Sequence, residues 1–338
     1  MKLSGPTDRK GVQLQNVAVI VAARNESAHL RVCIEALVKA CGNEAEIIVV
    51  DDGSTDDSET VLSSFGTKIR VFQGEGKGPG HARNLGMRQT QRPWIAFTDA
   101  DCEVREEWLS RLCQTVGGEH ASSTTVSVGG KQLVSKRAEI TERSVGQFLE
   151  SIGFISDYLH NDHEVREVNH NASCNVLYSK NALDEVDGFD ESLWPCEDLE
   201  LDLRLKAKGY TMLYDPTAIV EHRRPPTWKG LFQMMQRYGF AHAQLVKKHC
   251  FSQPIHLLTL LFPLGTGLIV WSLFWEPAIL WVVIPGSICM TALLLWSKTR
   301  SLPKAFLFTA VLGLSILVWL LGFYAGLWGK RRIATAHE

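Results

Sequence analysis

The chain has 338 residues, 45% of them hydrophobic, and 35 Lys and Arg against 37 Asp and Glu give a formal net charge of −2. That length holds a core-forming domain of ordinary size and something more, while a near-neutral charge without a basic tract excludes a nucleic-acid partner. Eight cysteines show no CxxC spacing, which fits reduced thiols in a cytoplasmic protein and not a zinc site or a disulfide framework, and they are assigned no role.

Residues 1–16 form a polar N-terminal tail without the apolar stretch of a signal peptide, so the sequence expects a cytoplasmic location for residues 17–250. From residue 17, strand and helix patterns alternate. VAVIVAA (17–23) reads as a strand, and Leu30, Ile34, Leu37 and Ala40 then recur at helical spacing. EIIVVDDGS (46–54) gives a second strand, followed by a helix near 57–65, the strand IRVF (69–72), a helix near 80–90 and the strand WIAFTDADC (94–102). Near-continuous apolar strands separated by amphipathic helices predict an α/β fold with a parallel sheet covered on both faces. Such sheets hold ligands outside the carboxyl ends of their strands, where the acids of DDGSTDD and TDAD stand.

Asp99 and Asp101 are one residue apart and share one face of an extended segment. Together they suit a hard cation with oxygen ligands, Mg²⁺ or Mn²⁺, although an Asp-x-Asp turn has the same pattern. Between the two acidic motifs lies GEGKGPGHARNLG (74–86), whose glycines permit close backbone approach and whose Lys77, His81 and Arg83 bring positive charge suited to a pyrophosphate. It is neither a Walker loop nor GxGxxG, and a plain surface loop is the alternative.

After a helix at 105–116 the pattern is less regular to residue 170, and HNDHEVREVNH (160–170) reads as a loop beside the site. In WPCEDLELDLRLKAKGY (194–210), Leu199, Leu203 and Leu205 give a helix its apolar face, with Glu197 and Asp198 at its N-terminus. Those two acids either complement the helix dipole or perform chemistry.

Charged residues pervade 1–250, whereas 255–296 contains only Glu276 and 305–328 contains none. The stretches 255–275, 278–296 and 305–328 approach or exceed the ~20 residues a spanning helix needs. Lys247, Lys248, Lys298, Arg300 and Lys304 fit a positive-inside orientation. The basic tail at 329–338, with Lys330, Arg331 and Arg332, does not, so the third stretch either spans, re-enters or lies at the interface.

The order of motifs resembles the family 2 inverting glycosyltransferases, of GT-A fold. The matching elements are VIVAARNE, VVDDGSTDDS, GPGHARNLG, FTDADC followed by EEWL, SCNVLYSKNALDEVDGFDE and CEDLELDLRLKAKGY, which cover residues 17 to about 240. The resemblance implies a domain over 17–250, with a nucleotide-binding half at 17–117 and an acceptor half at 118–250, followed by a membrane region at 255–328. It further implies a nucleotide-diphospho-sugar donor, UDP-linked in most such enzymes, and a divalent cation, Mn²⁺ or Mg²⁺.

By the same resemblance Ala23, Arg24 and Glu26 line the nucleotide base and ribose, and Asp52 is the base-contacting acid. Asp101 is the principal metal ligand, with Asp99 on the ribose or the metal, and His222 approaches metal or diphosphate unless it is a solvated surface residue. Lys77, Arg83 and Asn84 fall in the donor-binding segment, and Asn175 lies near the donor sugar. Asp198 is the catalytic base, and Glu197 orients the acceptor. A sugar hydroxyl is a poor nucleophile at neutral pH, so a carboxylate must take its proton as the bond forms.

Two positions depart from the family. Ala22 replaces the usual Pro, and FQMMQRYGF (232–240) has Met234 where the QxxRW element of processive synthases has Gln. The expectation is therefore transfer of a single sugar to a lipid-linked or membrane-associated hydroxyl, by a multi-pass protein of the inner membrane engaged in envelope glycan or glycolipid synthesis. A polyprenyl-phosphate acceptor, a nucleotidyltransferase and a non-catalytic scaffold are the alternatives.

Overall fold

The computed structural model describes residues 12–154, 164–275 and 277–329. Residues 1–11 of the polar tail, 160–163 of the expected loop, and Lys330, Arg331 and Arg332 lie outside the described residues. The described residues divide into two compact units, 12–138 with 164–224, and 139–154 with 225–329.

In the first unit β1 (Val17–Ala23) is apolar throughout, as a strand covered on both faces requires. After it come α1 (Ser27–Cys41), β2 (Glu46–Asp51), α2 (Ser58–Ser63), β3 (Arg70–Gln73), α3 (Pro79–Arg88) and β4 (Trp94–Asp99). β1 pairs in parallel with β2 and β4, and β3 pairs in parallel with β2. Side chains alternate across this sheet: Val17, Val19 and Val21 share a core with Leu30, Ile34 and Leu37 of α1, while Ala18 and Ile20 pack with Ala82 and Met87 of α3.

The chain continues through β5 (Cys102–Val104), α4 (Trp108–Gly117), β6 (Thr125–Val134), α5 (Ile140–Ile152, in the second unit), β7 (Arg166–Val168), β8 (Asn175–Ser179), α6 (Lys180–Glu185), α7 (Glu197–Ala207) and β9 (Thr211–His222). Here the expected parallel series ends. β8 enters antiparallel between β4 and β6, β9 runs parallel to β6, and β5 closes the edge antiparallel to β9. The result is a mixed sheet of order β3-β2-β1-β4-β8-β6-β9-β5 with helices on its faces, the GT-A-like arrangement. Part of the segment read as a loop is β7, which pairs antiparallel with β9; three residues at a sheet edge are too few to show a period.

β6 and β9 approach closely at Gly130, where a Cβ would sit 2.0 Å from the Ala218 carbonyl oxygen and 2.7 Å from Asn175 Nδ2. Gly130→Ala is expected to cost about 1–3 kcal/mol through overpacking. A lowered melting temperature of the detergent-solubilised variant checks this.

The second unit holds α5, α8 (Trp228–His249), α9 (Leu257–Trp275), α10 (Pro277–Thr299) and α11 (Leu302–Trp328). The Thr227 hydroxyl caps α8 by accepting from Gly230 N. Phe148, Leu231, Met235, Phe308, Trp319 and Phe323 form its buried core. α8 and α11 come so close that a Cβ on Gly322 would meet the Gln236 carbonyl oxygen at 2.2 Å, the contact that small residues allow between helices. Among the described residues, Trp281–Thr299 and Leu302–Trp328 are each long and apolar enough to cross a membrane. The first apolar stretch, expected as a span of its own, qualifies only jointly with α8 as a pair bent by 103°. Trp281 and Leu268 are largely exposed, as side chains facing lipid would be.

Candidate active site

The acids read from the sequence meet where strands end. β4 stops at Asp99, and Asp101 lies in the turn before β5, whose Cys102 pairs with His222 at the end of β9. His222 Nε2 lies 3.4 Å from Asp101 Oδ2, and Asp99, Asp101 and His222 each offer a ligand atom within 4.8 Å of one another. Burial alone would lower the His222 pKa, but Asp101, and after it Cys174, raise it to about 10. Burial would likewise raise Asp101, and the facing His222 holds it below its ordinary value.

Glu26, at the foot of α1, is pushed up to about 7 by burial and then by Asp101 and Asp99. Carboxylates that raise one another in this way have charge in excess, which a hard cation relieves. The residues present fit a divalent ion.

Because His222 has its folded pKa above 6.5, its pairing stabilises the fold fully below that pH and is lost as pH rises through about 10. Metal-free protein is expected to lose stability across this window. His222→Gln is expected to flatten the loss, as melts at a series of pH values would report.

Arg83 links this cluster to the ED helix. Its Nη2 donates to Asp99 Oδ1 at 2.8 Å and its Nη1 to Glu197 Oε1 at 2.7 Å, with the guanidinium and the Glu197 side chain only 4% and 6% exposed. Burial disfavours the Arg83 charge, and the two carboxylates more than restore it. Glu197 is raised to about 7, first by burial, with Arg83 opposing and Asp198 adding to the rise. Glu197 therefore faces inward, on Arg83. Nδ1 of His81 and Nε of both Arg83 and Arg24 are shielded from water and have no partner among the described residues.

Asp198 stands half-buried on the first turn of α7. Its Oδ1 accepts from Leu199 N at 2.8 Å and its Oδ2 from Ser173 N at 3.1 Å. Cys196 just before it has φ 97°, a left-handed conformation that costs a non-glycine residue on the order of 1–3 kcal/mol.

Residues just past the ends of β1 and β2 fasten a loop. Asp52 accepts from Gly76 N at 2.9 Å through Oδ1 and from Gly78 N at 2.7 Å through Oδ2, while Arg24 Nη1 donates to Gly76 O at 3.2 Å beside the buried Ala23. Lys77 at the tip of that loop pairs with Glu75 on the surface. Asn84 stays out of the acid cluster: its amide exchanges hydrogen bonds with the Phe189 backbone, which ties α3 to the DGFDE segment. Asn175 is fully buried, with Oδ1 accepting from Trp108 Nε1 and Nδ2 donating to the carbonyls of Lys131 and Ala218. Its amide is engaged inside the sheet at both ends, so it presents none of its side chain to a donor sugar in this structure.

Sequence reasoning passed over three neighbours of His222. Gln132 Oε1 lies 3.3 Å from His222 Nδ1 and accepts from Arg224 Nη2 at 3.1 Å, while Cys102 and Cys174 complete a second cluster with His222. Cys174 is drawn below its ordinary range by a hydrogen bond from Cys102 and by His222, and burial pushes Cys102 up. Arg224 carries a signal that was not used, the basic run His222-Arg223-Arg224, whereas the cysteines carry none.

The family model described as Glycosyl transferase family 2 matches residues 18–187, just over half of the chain. The chain is 27% identical over 277 residues to the pre-mycofactocin glycosyltransferase of Mycobacterium tuberculosis, covering 78% of this chain and 55% of that one. The chain thus spans about half the length of that relative. To glycosyltransferase AglE of Haloferax volcanii it is 24% identical over 216 residues, covering 62% and 67% of the two chains. Among solved structures it is similar to the mannosyltransferase PcManGT from Pyrobaculum calidifontis in complex with GDP-Man and Mn²⁺, with a TM-score of 0.65 at 14% identity over 94% of this chain and 88% of that one. At that identity the likeness shows the fold.

Proposed function

The chain belongs to glycosyl transferase family 2, and from that premise we propose that it moves one sugar from a nucleotide-diphospho-sugar to a hydroxyl of a lipid-linked or membrane-associated acceptor, with inversion. The carrying observation is the Asp99–Arg83–Glu197 bridge, which fastens the strand-end Asp99 to the helix that bears Asp198. A UDP-sugar is the proposed donor, and GDP-mannose, the ligand of the Pyrobaculum calidifontis neighbour, is the alternative.

Asp198 takes the acceptor proton as its oxygen attacks the anomeric carbon, and the bond to the diphosphate breaks on the opposite face. A divalent cation held by Asp99, Asp101 and His222 would supply positive charge to the departing diphosphate. Arg83 fixes Asp99 and Glu197 fixes Arg83, while Arg24 and Asp52 hold the loop at Gly76 and Gly78 that leads into α3, whose first turn carries His81. α10 and α11 anchor the protein in the membrane, with the catalytic unit on the cytoplasmic side. A polyprenyl-phosphate acceptor is already anionic and needs no base; the placement of Asp198 favours the hydroxyl.

A thermal-shift screen of UDP-sugars and GDP-mannose, with and without Mn²⁺, tests this reading. A donor at 100 times its Kd stabilises the fold by about 2.7 kcal/mol. The expected result is a shift for one donor that needs the metal and disappears in Asp101→Asn. If no nucleotide sugar shifts the melt, the reading fails.

A further inference from the structure

We propose that Cys102, Cys174 and His222 form a second metal site, selective for a soft, thiophilic divalent cation of the zinc class, which shares His222 with the Asp99–Asp101 pair and so displaces the hard cation. Each of the three residues offers one ligand atom, and those atoms lie within 4.8 Å of one another. Strand pairing brings them together. Cys102 opens β5 in register with His222 of β9, and Cys174 immediately precedes β8, its carbonyl accepting from Thr98 Oγ1 at 3.0 Å. Both cysteines are buried, so neither has a surface role.

Donor chemistry separates the two clusters. Carboxylates suit Mg²⁺ and Mn²⁺, whereas thiolate with imidazole suits zinc-class ions. Bonds of about 2.3 Å to sulfur in a tetrahedron set ligand atoms about 3.8 Å apart, so the cluster needs a contraction of at most about 1 Å to close on such an ion. Three protein ligands leave a fourth position open. On binding, each thiol releases its proton to water as its sulfur–metal bond forms, and no oxidant or reductant is involved.

His222 is the hinge between the two clusters, because it belongs to both. Asp101 and Cys102 are adjacent in sequence, and Cys102 Sγ lies 3.9 Å from Asp101 Oδ1, so two divalent charges there would repel strongly. Occupation of one cluster therefore opposes occupation of the other. A cavity of about 210 Å³ lined by Cys33, Asp101, Cys102, Glu221 and Arg223 gives an ion a route to Cys102.

The test uses full-length reduced protein in detergent, in a Cys250→Ser, Cys289→Ser background that removes the exposed thiols. Cd²⁺ is the probe, read by its ultraviolet cadmium–thiolate charge-transfer band. One Cd²⁺ per chain with a two-thiolate band is expected. Cys102→Ser and Cys174→Ser are each expected to cut the band to about half and weaken Cd²⁺ binding roughly 10-fold or more. Excess Mn²⁺ is expected to raise the Cd²⁺ midpoint in the parent, and to raise it several-fold less in His222→Gln, where charge repulsion alone remains. No band in the parent protein, or one that persists when both cysteines are replaced, overturns the site. Independent binding of Mn²⁺ and Cd²⁺ overturns the sharing of His222. The band reports thiolate ligation alone, so its outcome does not depend on the reaction proposed above.

Discussion

Asp198→Asn is expected to slow sugar transfer by roughly 10²–10⁴-fold, the contribution of a positioned general base, while donor binding is retained. That loss corresponds to about 3–5 kcal/mol of transition-state stabilisation. The substitution keeps the shape of the side chain, and its amide oxygen can still accept from either Leu199 N or Ser173 N, so α7 keeps its start. What disappears is the capacity to take a proton. Steady-state assays with saturating donor should show the fall in kcat, beside an unchanged donor-induced thermal shift. Full activity toward a hydroxyl acceptor would remove Asp198 from its role. Full activity toward a polyprenyl phosphate alone would identify the acceptor as a phosphate.

Arg83→Ala is expected to destabilise the protein by about 3–5 kcal/mol, the range for breaking a buried ion pair from one side. Glu197, almost wholly shielded and already raised to about 7 with the guanidinium present, loses its counter-charge, as does Asp99. Arg83→Lys is no substitute, because one ammonium cannot span both carboxylates as the planar fork does. Adding Glu197→Gln to Arg83→Ala is expected to recover part of the loss, since a neutral amide needs no counter-charge. A double-mutant cycle on melting temperatures measures that recovery as coupling. Additive effects would mean that the bridge is not energetic.

The segment from β1 to β4 was legible because most of its strands are apolar runs and its acids fall at strand ends by simple alternation. Asp99, Asp101 and His222 offer ligand atoms within 4.8 Å of one another. The mixed half was less legible, since the neighbours of β6 and β8 are chosen by long-range pairing that no local period encodes. The inward turn of Glu197 and the interior role of Asn175 escaped for a related reason: motif spacing fixes which residues come near, and burial decides which way they point. The cysteine cluster lay deeper still. Its thiols are 72 residues apart in sequence and meet a histidine from a third strand, so no spacing rule could have joined them.

The bridge through Arg83 also bears on how such enzymes can be recombined. It fastens α3, β4 and α7, whose contributing residues stand at 83, 99 and 197. A chimera cut between β4 and α7, intended to combine the donor preference of one enzyme with the acceptor preference of another, would leave the guanidinium in one parent's segment and its second carboxylate in the other's. Such a graft keeps a charge-balanced interior only when both parents supply matching ends. The segments on either side of this seam are in this sense not interchangeable cassettes, and a library designed around it should screen first for that match.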